Sequence, residues 1–287
     1  MTSPTASAAA PTAAEVRAAV DAVPLWYHSI DLPHGITTPG WFDLRPIIDT
    51  MPWPDLRGKR CLDVGTWDGH LAFEMERRGA SEVVAIDLKD QTQWDIPVRG
   101  RPLAAPTLEG MVGEDKAAGF TTAHRLLGSK VERRAISVYD LSVDEVGTFD
   151  FAICGSLMLH LQNPVKAMEA IRKVTTGQFL SAEMLRVRAT LMHPRRPVAL
   201  LDADEGLVQW WHPNLAAHRR MVWAAGFVTE KQSRPYVIRL GAGHPTGYTL
   251  KERAFAIGRR ALFGHHGLPH VSLLTRVDPS VDAVVGR

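Results

Sequence analysis

The sequence predicts an α/β fold: a doubly wound, mostly parallel sheet of seven strands, preceded by a helical N-terminal cap. Three observations carry this. From residue 59 onward, short apolar runs alternate with segments of helical period, the rhythm of parallel strands joined by crossover helices. A strand-like run at Cys61-Leu62-Asp63-Val64 passes through a glycine-containing turn directly into a helical segment. Hydrophobic residues make up 45% of the 287-residue chain and charged residues 22%, enough apolar material to cover both faces of such a sheet.

Taken in order, residues 1–14 are rich in Ala, Ser, Thr and Pro, with no basic start and no continuous apolar stretch, and read as a disordered tail rather than a signal peptide. Residues 13–23 have helical spacing, and the turn-rich Leu32-Pro33-His34-Gly35 and Thr38-Pro39-Gly40-Trp41-Phe42 follow; residues 15–54 are expected to form a cap over a pocket. A short helix is expected at 44–51, closed by Met51-Pro52-Trp53-Pro54, because a residue before proline is pushed out of the helical region. The domain proper, residues 55–287, should carry strands at 59–64, 82–87, 131–138, 149–154, 178–183, 227–230 and 270–276. Helices are expected at 68–78, 116–128, 164–174, 213–225 and 250–262. Two stretches break the rhythm, 89–115 and 187–206. Both leave the carboxyl edge of the sheet, where ligands bind in this architecture, and should shape a substrate site.

Global properties exclude little. The formal charge is +2 and the pI about 8.6, so composition neither requires nor forbids a phosphate-rich partner. Cys61 and Cys154 each sit in an apolar run and read as small buried thiols, which fits a cytoplasmic protein. No run approaches the ~20 apolar residues that span a bilayer, so no membrane association is expected. Oligomeric state is not legible.

The segment Asp63-Val64-Gly65-Thr66-Trp67-Asp68-Gly69 holds the densest chemical information. Gly65 and Gly69 let the turn bring its backbone against a ligand, and the helix behind presents free N–H groups. A dinucleotide turn also lies between strand and helix, but its G-x-G-x-x-G spacing is absent. Asp63, two residues before the first glycine, would repel a pyrophosphate and suits a ligand's ammonium group. Asp87 ends the next strand 22 residues beyond Gly65, where a carboxylate accepts hydrogen bonds from ribose hydroxyls; Leu88 follows it. The plain alternative for Asp87 is a strand-ending residue that caps the next turn.

These residues resemble motif I of the class I, Rossmann-like S-adenosylmethionine-dependent methyltransferases, with Trp67 where the middle glycine is usual. The resemblance implies S-adenosylmethionine as cofactor. It places Asp63, Gly65, Thr66, Trp67, Asp68 and Gly69 at the amino-acid end, Asp87 and Leu88 at the ribose, Tyr139 and Asp140 at the adenine, and Gly155 and Ser156 beneath the cofactor. For Tyr139 and Asp140 a surface turn after a strand is the competing reading. Three further blocks, Tyr27-His28-Ser29-Ile30 through Asp43, Gly155 through Pro164, and Gln209-Trp210-Trp211-His212-Pro213-Asn214, are similar to the group called tRNA wobble-uridine (5-oxyacetyl) methyltransferase-like, over most of residues 25–275. That group holds a transferred carboxymethyl group with basic and hydroxyl side chains, including a tyrosine where Leu159 stands here, so ordinary methyl transfer is implied.

His160, after the fourth strand, is the first candidate general base, with a structural role as its alternative; Glu183, ending the fifth strand, is the second. Trp26, His28, His34, Trp41, Trp211 and His212 are candidates to line the acceptor pocket, against loop hydrogen bonding for the histidines and core packing for the tryptophans. His265, His266 and His270 cluster without cysteine or acidic companions at ligand spacing, so no metal is expected. The leading function is methyl transfer to a small-molecule acceptor. A tRNA base is the second, resting on Arg186, Arg188, Arg195, Arg196, Arg219 and Arg220, and a non-catalytic cofactor-binding scaffold the third.

Overall fold

A computed structural model describes residues 10–102, 109–110, 115–203, 209–245 and 267–281. The sheet's parallel core is β1 (Arg60–Val64), β2 (Glu82–Asp87), β3 (Glu132–Ala135), β4 (Phe149–Gly155) and β5 (Thr175–Met184). It continues antiparallel through β6 (Phe227–Gln232), β7 (Tyr236–Leu240) and β8 (Gly267–Val277), and the order from the far edge is β3-β2-β1-β4-β5-β8. Beyond β5, the long β8 pairs with β7 along its first half and with β6 along its second. The seven expected strands therefore lie in one sheet, widened to nine by β7 and by Phe42–Asp43, which pairs with β7. The two additions have too little alternation of their own; they are strands because β8 and β7 offer them an open edge.

The helices are α1 (Ala13–Asp21), α2 (His70–Arg77), α3 (Ala118–Leu127), α4 (Val143–Val146), α5 (Pro164–Val174), α6 (Val187–Met192) and α7 (Leu215–Ala224). Alternation along each central strand sends successive residues to opposite faces. Cys61, Val83, Ala85, Phe151 and Ile153 pack in one cluster with α1, α2 and α3 residues, and Leu62, Val64, Val84, Ile86, Ala152 and Cys154 in another with α5 and α7. Both cysteines are unpaired and buried, one on each face.

Several boundaries differ from the sequence expectation for identifiable reasons. Thr12 caps α1 in a capping box with Glu15, so helix begins inside the stretch read as tail; residues 1–9 lie outside the described residues. The helix expected at 44–51 is a turn and a 3-10 segment, Ile48–Thr50, because Pro46 and Pro52 leave too few residues for a stable helical nucleus. The third strand stops at Ala135, where Ser137 instead caps a 3-10 turn, Val138–Asp140. Trp211–Pro213 forms a hairpin with Ala199–Leu201, and α7 starts after it, capped by Asn214. The helix expected at 250–262 and residues 103–108, 111–114 and 204–208 of the two insertions lie outside the described residues, as do His265 and His266.

Candidate functional site

The turn after β1 is fixed by backbone hydrogen bonds to its neighbour: Gly65 N–H and Thr66 N–H both donate to the Ile86 carbonyl of β2, at 2.9 and 3.1 Å. Gly65 has φ +79°, which favours glycine, and a Cβ there would stand 3.0 Å from the tip of the Leu157 side chain, which would have to give way. Trp67 also has positive φ, +48°, a conformation that costs a bulky residue about 1 kcal/mol or more and persists only where the surroundings hold it. They do: Trp67 N–H donates to Asp87 Oδ2 at 2.8 Å, and the indole stacks on Tyr27, with ring centroids 4.7 Å apart.

Asp63, next to last in β1, is fully buried, and its Oδ2 has no hydrogen-bond partner among the described residues. Burial pushes its carboxyl up to about 7. Thr66 Oγ1 and His70 Nε2 are likewise buried without partners, and burial drives the His70 imidazole down to about 4. Asp68, by contrast, is saturated. Its Oδ2 accepts from the backbone N–H of Tyr27 at 2.9 Å and of His28 at 2.7 Å, and its Oδ1 lies 2.5 Å from His28 Nδ1. Asp68 thus ties the N-terminal segment onto the glycine turn. Gly40 completes the clamp: a Cβ there would lie 2.1 Å from the His28 carbonyl carbon.

Asp87, at the end of β2, has both oxygens engaged. Oδ1 accepts from Leu88 N–H at 2.7 Å, and Oδ2 meets Trp67 N–H and, at 2.5 Å, Lys116 Nζ. Lys116 is buried and also stands 4.6 Å over the Trp67 ring. It was missed in the sequence because a lysine just before α3 reads as solvated surface.

Tyr139 and Asp140 sit on the 3-10 turn after β3. The Tyr139 hydroxyl donates to Asp95 Oδ2 at 2.6 Å, and the same oxygen accepts from Gln162 N–H at 2.7 Å. Asp95, from the first insertion, thereby pins the segment after β4, and its own carbonyl accepts from Trp210 Nε1. Through its hydroxyl Tyr139 therefore braces this wall. Asp140 is exposed.

Gly155 ends β4, and Ser156 follows at φ +52°. His270 Nδ1 donates to the Leu268 carbonyl, which leaves Nε2 to accept from the Ser156 hydroxyl at 2.7 Å. His160 lies on the next 3-10 turn, Met158–His160. Glu183 is buried beneath that turn, where it accepts from Met158 N–H at 3.4 Å and burial pushes its carboxyl up to about 8.

The residues expected to line an acceptor pocket separate into groups. Trp26 belongs to the core instead: it is 2% exposed, and its indole donates to the Val20 carbonyl. His34 lies on an exposed turn and contacts the Pro11 carbonyl, so it secures the entry to α1. His212 is buried, with Nε2 2.6 Å from Asp202 Oδ2, and braces the hairpin. Trp211 donates to the Gln162 carbonyl. Trp41, together with Tyr27, Phe42, Trp67 and Trp94, forms a chain of ring contacts with centroids 4.7–6.4 Å apart. Among the described residues, no group of three His, Cys, Asp or Glu side chains is gathered as a metal would require.

Comparison with known proteins agrees with this architecture. Residues 43–231 match the family described as methyltransferase domain. A ubiquinone biosynthesis O-methyltransferase of Neisseria meningitidis serogroup C is 32% identical over 116 residues, 40% of this chain and 39% of that protein. One from Dechloromonas aromatica is 31% identical over 147 residues, 47% of this chain and 52% of the relative. The matches thus span 39% and 52% of those two relatives' length. The crystal structure of the cyclase SpnF superposes with a TM-score of 0.52 at 16% identity, covering 92% of each chain, a likeness of fold. The family match reaches from the cap strand through β6 and contains the whole glycine turn, and on that ground the chain belongs to the class I S-adenosylmethionine-dependent methyltransferases.

Proposed function

We propose that the chain methylates a small-molecule acceptor, with oxygen as the first choice of acceptor atom. The observation that carries this reading is the run of aromatic rings from Trp94 through Trp67 and Tyr27 to Trp41, which gives the carboxyl edge an apolar, flat-sided wall suited to a planar metabolite. The two curated relatives, named as ubiquinone biosynthesis O-methyltransferases, add support for the acceptor atom. The segment 15–54 acts as the cap, and 89–115 and 187–206 as flanking walls.

S-adenosylmethionine, when bound, supplies a methyl group already activated on a sulfonium. The residues present fit it: Asp63 Oδ2, without a partner among the described residues, is a buried acceptor that suits an ammonium. Asp87 would take the ribose hydroxyls by exchanging Lys116 for them. Alignment and exclusion of water are the chief tasks left to the protein. An acceptor hydroxyl must also lose its proton, and we assign that proton to His160. Glu183, with its carboxyl pushed up to about 8, already holds a proton at neutral pH and serves as support for the Met158–His160 turn. His160→Asn should then lower turnover by about 10²–10⁴ while S-adenosylhomocysteine affinity stays nearly intact. An unchanged rate would make His160 structural.

A tRNA acceptor is the second reading, favoured by the exposed Arg186, Arg188, Arg195 and Arg196 around α6. Arg219 and Arg220 contribute less, since one is bonded to Gln232 and the other lies over Trp223. The wobble-uridine likeness belongs with this reading, but the buried Leu159 offers a carboxymethyl group nothing to bind. Incubation with labelled cofactor separates the two: label in a metabolite extract supports the first, and label in tRNA with salt-sensitive binding supports the second. No described helix is long and apolar enough to cross a membrane, and the two unpaired buried thiols suit a cytoplasmic setting.

A further inference from the structure

We infer that His28, fixed by Asp68, is the group that receives the α-carboxylate of the cofactor, so that the N-terminal segment completes the cofactor site. The inference rests on the assignment of Asp63 to the cofactor's ammonium. It begins from three buried polar atoms without partners among the described residues: Asp63 Oδ2, Thr66 Oγ1 and His70 Nε2. Buried polar groups in native proteins are nearly always satisfied; Thr66 and the Ala72 backbone approach the Asp63 carboxyl, and the atoms still unsatisfied around it point to a ligand.

The amino-acid end of the cofactor is a zwitterion whose two charges share one carbon. An ammonium seated on Asp63 therefore brings a carboxylate into the same small space. Asp63 repels that carboxylate, so a cation or donors must oppose the repulsion. The surroundings offer two imidazoles, His28 and His70, whose rings lie 5.4 Å apart at 29°. His70 is held neutral by burial. His28 is different, because Asp68 Oδ1 sits 2.5 Å from its Nδ1. That contact fixes Nδ1 as a donor and leaves Nε2, on the other side of the ring, with no hydrogen bond among the described residues. A ring carrying hydrogens at both nitrogens would lie between two carboxylates, that of Asp68 and that of the ligand, an order in which each neighbour attracts.

The position is fixed as firmly as the chemistry. The His28 backbone is hydrogen-bonded to Asp68 and packed on Gly40, and the His28 side chain is 13% exposed against 0% for Asp68. Asp63 and His28 are also near enough for the imidazole's charge to act on the carboxyl. The start of α2, whose N-cap Gly69 has no side chain, carries backbone N–H groups without a side-chain cap.

The test is a double-mutant cycle read by calorimetry at fixed pH, with S-adenosylhomocysteine and its decarboxylated analogue, S-adenosyl-3-thiopropylamine. The variant is His28→Asn, whose amide nitrogen can replace Nδ1 at Asp68 but which has nothing at the place of Nε2. Wild type should bind the carboxylate-bearing ligand about 10- to 100-fold more tightly than the analogue, the range of a charged hydrogen bond. In His28→Asn that preference should vanish while affinity for the analogue stays within about twofold. Equal loss for both ligands, or a preference that survives the substitution, overturns the inference. Should the variant not fold, the wild-type pair decides: equal affinities overturn the inference, and a preference for S-adenosylhomocysteine sustains it. Binding of neither ligand by wild type removes the Asp63 assignment and this inference with it.

Discussion

The carboxylates of Asp63, next to last in β1, and Asp87, last in β2, flank one glycine turn, yet they meet opposite surroundings. Asp63 is buried with an oxygen that nothing among the described residues satisfies, and burial raises its carboxyl to about 7. Asp87 has two backbone donors and a buried ammonium, all within 2.8 Å. One carboxylate carries a desolvation cost that a ligand would offset, and the other is already satisfied and could bind only by exchange. On the assignment proposed above, cofactor affinity would have two unlike components: relief of buried, unsatisfied atoms at Asp63, and competition with Lys116 at Asp87.

The comparison breaks most readily at Asp68, which holds the first end together. Asp68→Ala removes the acceptor for two backbone N–H groups and for His28 Nδ1, and should cost about 3–5 kcal/mol of stability, as loss of one partner from a buried network does. Urea unfolding measures this; a loss under about 1 kcal/mol would mean that the N-terminal segment is not tied to the turn. The ribose end is sharpened by a pair of variants of opposite sign. Asp87→Ala should weaken S-adenosylhomocysteine binding by about 1.5–3 kcal/mol, and Lys116→Met should strengthen it by removing the competitor, at the cost of a less stable ligand-free protein. If both variants weaken binding, Lys116 is a ligand contact and not a competitor.

The smallest effect is a slope with pH. Asp63 must be ionised to hold an ammonium, and in the ligand-free protein it is protonated below about 7. Affinity for S-adenosylhomocysteine should therefore fall as pH drops from about 7 towards 5, by up to about tenfold per unit. The sign for stability is reversed. A carboxyl raised in the folded state binds its proton more tightly there than in the unfolded chain, so the ligand-free protein loses stability as pH rises from about 4 to 7. Calorimetry across this range tests both, and a flat affinity profile would assign the orphaned oxygen no part in binding.

Much of the fold was legible because its signals are local. The apolar run at 149–154, the Asn-Pro start at Asn163 and Pro164, and the glycine turn after β1 each specify an element through periodicity or backbone sterics within a dozen residues. Glu82–Asp87 and Pro164–Val174 fall at the expected bounds for the same reason. The two edge strands were not legible, since Phe42–Asp43 and Tyr236–Leu240 are strands by virtue of what lies beside them.

By itself, then, the sequence determined the order of the central strands and helices, the glycine turn and the positions of Asp63 and Asp87 at strand ends. The tertiary structure alone decided whom each polar group meets: Asp68 with His28 across 40 residues of chain, Lys116 with Asp87, Asp95 with Tyr139, and Trp26 with the core rather than the cleft. The physical reason is that backbone conformation is set by neighbours along the chain. The partner of a buried donor or acceptor is set instead by which distant groups packing brings within about 3 Å, and no periodicity encodes that.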